Sequence, residues 1–127
     1  MTERIAILNT GKGKLPRLPF TDMKNTVLGA KYDLSLVFLS PKKMQALNKE
    51  RRGKNKPTNI LSFPLSKTAG EIFISLAVAK KEAPSFDRKF ENYLGFLFIH
   101  GLTHLKGFDH GSKMESIEQR YRKKFYI

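Results

Sequence analysis

Cysteine is absent from this sequence, so neither a disulfide nor a thiolate metal site can be built from it. Acidic residues are scarce: 11 Asp and Glu stand against 24 Lys and Arg, a net charge of +13. Such a surplus points to polyanionic partners, nucleic acid or an anionic membrane surface, with bare solubility as the alternative. Long apolar runs are missing too. The N-terminal MTERIAILNTGKGK has no continuous apolar h-region of the kind a secretory signal needs. The most apolar region, residues 93–99, is too short to span a bilayer. The expectation is a soluble, cytoplasmic protein with no membrane partner. No internal repeat or low-complexity linker divides the chain. Its 127 residues, 40% of them hydrophobic, fit one domain over residues 1–127 with a core of useful size.

What is present reads as alternating strands and helices. Residues 4–8 (RIAIL) make a short strand. Thr21 is placed to cap a helix to about residue 30, with Asp22 in its first turn. Residues 33–39 (DLSLVFL) alternate and then run apolar, as a buried strand does. Ser40-Pro41 pairs a capping residue with proline at the first helical position, which predicts a helix to about residue 51. A loop over 52–57 follows, then strands over 58–63 (TNILSF) and 71–74 (EIFI). Residues 76–83 look helical and Pro84 stops them. Ser85 or Asp87 is expected to cap the longest helix, reaching about residue 106. Ser112-Lys-Met-Glu115 has the form of a capping box for a last helix toward residue 125. The fold class implied is α+β: a small mixed sheet of about four strands packed with helices.

All three histidines fall in one stretch, HGLTHLKGFDH, residues 100–110. On a helix at ~100° per residue, Leu94, Phe98, Leu102 and Leu105 share one stripe while His100 and His104 share another. The helix is apolar nearly all round, so it is buried. Two imidazoles one turn apart can reach a single ion. Gly107 allows a left-handed turn that folds His110 back beside them. Zn²⁺ suits such neutral nitrogen donors, a preference that Fe, Co, Ni and Cu share. Three histidines without cysteine suggest an open coordination position rather than a closed structural site. Asp109 is a possible fourth ligand and better placed to brace an imidazole. The spacing is also that of metzincin peptidases, H-E-x-x-H-x-x-G-x-x-H, but Gly101 stands where those enzymes carry the general base. The metal geometry carries over and the peptidase chemistry does not.

The segment KKMQALNKERRGKNK, residues 42–56, concentrates positive charge that a phosphate backbone would attract. Arg51, Arg52, Lys54 and Lys56 read as loop residues ahead of a strand, where arginine forks can bind phosphate oxygens. The RYRKK run at 120–124 is as well explained by a solvated helix face.

Taken in order, LNKERRGKNKPTNILSFP, GEIFIS and HGLTHLKGFDH closely resemble the YbeY family of bacterial rRNA maturation endoribonucleases, over about residues 35–120. The last motif, H-G-x-x-H-L-x-G-[YF]-D-H, is specific to that family. The resemblance implies that His100, His104 and His110 are metal ligands, that one zinc ion is the usual cofactor, and that Arg52 is the functionally important arginine. It implies metal-dependent cleavage of single-stranded RNA in small-subunit rRNA 3′-end maturation and ribosome quality control, with rRNA and the small subunit as partners and no DNA. Many members carry Asp where Asn59 and Glu71 stand here. Asp109 and Glu71 are both candidates for acid–base work. Either water or the ribose 2′-hydroxyl can be the attacking group. Two rival readings remain: a metal hydrolase of another substrate, and a zinc-stabilised RNA- or ribosome-binding factor without catalysis.

Overall fold

A computed structural model describes residues 4–127; residues 1–3, which open the stretch read above for a secretory signal, lie outside it. Four strands and five helices form an α+β fold. They run β1 (Ile5–Asn9), α1 (Phe20–Leu28), β2 (Asp33–Phe38), α2 (Pro41–Arg52), β3 (Ile60–Ser66), β4 (Ala69–Ile74), α3 (Leu76–Glu82), α4 (Phe90–Leu105) and α5 (Ser112–Lys124). A 3-10 turn, Ala83–Phe86, separates α3 from α4.

The sheet order is β1-β2-β4-β3. β1, β2 and β4 are mutually parallel where they pair, and β3 runs antiparallel to β4. β3 is therefore an edge strand, and that is why it tolerates Pro64, which can donate no ladder hydrogen bond. Period-two alternation puts Leu34, Leu36 and Phe38 of β2 and Ile72 and Ile74 of β4 on one face, all buried. Onto that face α1 packs Phe20, Met23 and Val27, and α4 packs Leu94, Phe98, Ile99 and Leu102.

Glycine sets how close α4 comes to the sheet edge. A Cβ added at Gly101 would lie 2.8 Å from Ile60 Cδ1, 2.9 Å from Ser62 Oγ and 3.1 Å from Ile72 Cδ1. Position 101 thus points into β3 and β4, so an acid there would have to enter the core rather than serve a metal. Two lysines tie down the end of α1. The buried Lys24 donates to the carbonyls of Gly29 and Ala30 at 3.1 and 3.3 Å, and Lys106 donates to that of Val27 at 2.8 Å. Lys106 satisfies a carbonyl that the last turn of the helix leaves open, and Lys24 satisfies two in the turn just beyond it. Burial lowers the Lys24 pKa, with the Arg4 charge adding to it and Asp33 opposing.

Local capping differs from expectation at three helix starts. Ser40 does cap α2, accepting from the Lys43 amide at 3.2 Å. Thr21, however, is the second residue of α1, which begins directly after Pro19 without a side-chain cap. Neither Ser85 nor Asp87 caps α4: the 3-10 turn consumes Ser85, Asp87 takes a left-handed φ of 54°, and the helix starts only at Phe90. Ser112 is already helical in α5, and Gly111 occupies the capping position instead. In each case the chain entering from the preceding turn sets the first helical residue.

Candidate metal centre

His100 and His104 stand one turn apart on α4, whose last residue is Leu105. Beyond it the chain reverses at Gly107, with φ 109°, a conformation costly for any residue with a Cβ. The reversal brings His110 back. The three ring centroids lie 4.7 Å (His100–His104), 4.7 Å (His104–His110) and 5.2 Å (His100–His110) apart. One ligand atom from each lies within 4.8 Å of the others. Tetrahedral donors at ~2.0–2.1 Å from one ion sit about 3.3–3.4 Å apart, so the rings close in by up to about 1.4 Å on an ion, with the exposed His110 the freest to move.

The other ring nitrogens show which atoms remain free. His104 Nδ1 lies 3.1 Å from the Phe108 carbonyl oxygen. A carbonyl only accepts, so Nδ1 carries the proton and Nε2 keeps its lone pair. His100 Nδ1 lies 2.6 Å from Glu118 Oε1, and a carboxylate partner again leaves Nε2 as the donor. This is the arrangement of a histidine ligand held from behind by an oxygen. Burial pushes the His104 pKa below its ordinary value, the neighbouring His100 and His110 push the same way, and the Phe108 carbonyl and Glu118 partly oppose them. A lowered pKa keeps the ring neutral, the only form that binds metal. The donor set therefore fits a divalent ion preferring nitrogen ligands.

Glu118 escaped the sequence reading. It lies on α5, 18 residues from His100, with its side chain only 8% exposed, and its second oxygen is 3.6 Å from Arg122. The available signal was an acid on the buried stripe that begins at Met114, four residues earlier. A Glu118→Gln variant keeps the shape but loses the charge behind His100. Its affinity for divalent metal is expected to fall about 10–100-fold, as measured by competition with a chromophoric chelator. An unchanged affinity would show that His100 needs no bracing.

The histidines open onto a groove of about 510 Å³, whose far wall is residues 58–64. Arg52 lines it, as does Asp109, the only carboxylate to do so among the described residues. Arg52 is exposed, and among the described residues no acid pairs with it. Arg51 and Arg52 are not in a loop: both end α2, because the helix runs on until Gly53 turns left-handed. Arg51 does not line the groove itself; its guanidinium lies 4.9 Å from the centre of the ring of Phe63, a residue of the far wall. Lys54 and Lys56 lie exposed in the loop beyond and do not line the groove.

Glu71 is not brought to the histidines. Its β4 neighbours Gly70 and Ile72 face α4, at Leu105 and Gly101. Alternation therefore turns Glu71 to the opposite side of the sheet. Asn59 does line the groove, and donates to Glu82 Oε1 at 3.0 Å. Tyr93 donates to the same oxygen at 2.9 Å. Burial, then the Glu82 hydrogen bond, push the Tyr93 pKa up to about 12, so its phenol stays a donor. An aspartate at position 59 would set a second carboxylate against Glu82, whereas the amide satisfies it.

A family model described as Endoribonuclease YbeY matches residues 18–126. A protein of that name from Alkaliphilus metalliredigens is 37% identical over 107 residues, covering 76% of this chain and 69% of the relative. One from Campylobacter jejuni is 40% identical over 96 residues, 72% of this chain and 71% of the relative. One from Halalkalibacterium halodurans is 35% identical over 100 residues, 66% of this chain and 63% of the relative. Among solved structures, the solution structure of TM1509 from Thermotoga maritima matches with a TM-score of 0.69 at 25% identity, over 96% of this chain and 89% of that one.

Proposed function

Since this chain belongs to the endoribonuclease YbeY family, we propose that it is a metal-dependent endoribonuclease that cuts single-stranded RNA in the groove beside its three histidines. The observation that carries this reading is the convergence of His100, His104 and His110 on one wall of a groove that Arg52 also lines.

Each residue has a role in this reading. His100, His104 and His110 hold one zinc ion through their ring nitrogens. When bound, the ion supplies Lewis acidity toward phosphoryl oxygen and water. Arg52 binds the scissile phosphate and stabilises the charge that builds on it as the bond to the attacking oxygen forms. Asp109 accepts the proton of the attacking group. Arg51, Lys54 and Lys56, exposed at and just beyond the end of α2 next to Arg52, add positive field for the RNA backbone. One domain over residues 1–127 carries the activity. The physiological setting we infer is the cytoplasm, with the 3′ end of small-subunit rRNA as substrate, the small subunit as partner and ribosome quality control as the wider role.

The test is cleavage of an end-labelled single-stranded RNA by rigorously purified protein. We expect discrete products that vanish with chelator and return with zinc, while a duplex of the same sequence resists. A cyclic phosphate on the product would identify the 2′-hydroxyl as the attacking group. RNA that is bound but left intact under every metal tried would replace this reading with that of a binding factor.

A further inference from the structure

Asn92, Phe96, His100 and His104 recur every four residues on α4, and Arg88, four residues before Asn92, donates to its side chain. At ~1.5 Å rise per residue, Asn92 stands about 12 Å from His100 along one line. Beside the far end of that line aromatic rings stack. Tyr93 and Phe96 are 14° from parallel with centroids 5.9 Å apart, and Phe86 stacks on Tyr93 at 5.0 Å and 23°. The guanidinium of Arg88 lies 4.6 Å over Phe96. Tyr93 is buried, yet Phe86 is 53% exposed. One of its faces rests on protein and the remainder meets solvent. Phe86 also lines a shallow hollow with Asp87, Arg88, Lys89 and Asn92.

An exposed ring held flat by a buried one, in a hollow that two cations and one acid also line, has the properties that bind an unpaired nucleobase and its phosphate. We propose that this hollow binds one nucleotide of single-stranded RNA flanking the segment in the histidine groove. The base stacks on Phe86, and Arg88 and Lys89 hold the phosphate. This rests on the RNA-cleaving reading of the groove and extends its substrate contact beyond the scissile phosphate. Asn59 connects the two places: it lines the groove, and its amide lies 3.5 Å from the hydroxyl of Tyr93, on whose ring Phe86 stacks. A protein partner fits the hollow less well, because one open ring among charged side chains offers little apolar area for the core of an interface.

The chain has no tryptophan, so Phe86→Trp places the sole indole of the protein at the proposed contact. A single-stranded RNA of about 12 nucleotides is expected to quench its fluorescence, and a duplex of the same sequence is not. Phe86→Ala should raise KM for that RNA about 10-fold with kcat unchanged, and Phe86→Tyr should restore it. A dinucleotide, which leaves a single nucleotide on each side of the scissile phosphate, should be cut equally well by wild type and Phe86→Ala. Unchanged fluorescence and unchanged KM with an RNA that the wild type cuts would overturn this proposal alone, leaving the ring to a protein partner. An RNA that the wild type neither binds nor cuts would overturn the parent reading as well.

Discussion

His104→Ala is expected to lower cleavage of single-stranded RNA by about 10³-fold or more, since Lewis-acid stabilisation is worth several kcal/mol and each ~1.4 kcal/mol is tenfold in rate. The central member of the trio is the informative one. It lies 4.7 Å, centroid to centroid, from both other rings, and its removal leaves two donors that no longer enclose an ion. A second readout separates lost metal from lost fold. Zinc at 100 times its dissociation constant stabilises a native state by about 2.7 kcal/mol, which for a domain of this size raises Tm by roughly 10 °C. Wild type should show that rise and His104→Ala should not, while their metal-free melting temperatures stay close. His104 is half-buried, so the alanine removes few core contacts. Full activity in the variant would assign the chemistry to groups other than these histidines. Lower pH should act in the same direction, because protonated imidazole cannot ligate. The lowered pKa of His104 delays its own protonation, so this ring stays available to a metal to lower pH than an ordinary imidazole.

Arg52→Ala should reduce kcat by about 10²–10³-fold, the range for removing one donor to a developing oxyanion, with Tm nearly unchanged. The second half of that expectation follows from where Arg52 sits. It is exposed at the end of α2, where a cation contributes only ~0.3–1 kcal/mol through the helix dipole. Arg52→Lys should recover part of the rate, since the ammonium keeps the charge and loses the two-pronged geometry. Arg51→Ala serves as the control: its guanidinium is engaged by Phe63, so it should change kcat little. A rate for Arg52→Ala within threefold of wild type would leave phosphate stabilisation to the metal alone.

The histidine trio was legible because its elements are local. A spacing of four on one helix, and a glycine three residues after His104, both translate directly into position. The Ser40-Pro41 start of α2 was legible for the same reason, since cap and first helical residue are neighbours. Glu118 was not, because nothing within a helical turn of it refers to His100. Only the packing of α5 on α4 brings the pair to 2.6 Å. Arg51 and Arg52 look equivalent in sequence. Helical geometry turns adjacent residues about 100° apart, and one faces the groove while the other covers Phe63. Glu71 looked like a site residue beside its motif, but strand alternation turned it to the other side of the sheet.

By itself, then, the sequence determined the elements, the trio of imidazoles and the basic balance of the chain, because each depends on spacing within a few residues or on composition. Tertiary structure alone decided which acid stands behind His100, which arginine enters the groove, and why residue 101 carries no side chain. Those outcomes depend on the approach of α4 to the β3–β4 edge and of α5 to α4, contacts between segments far apart in the chain.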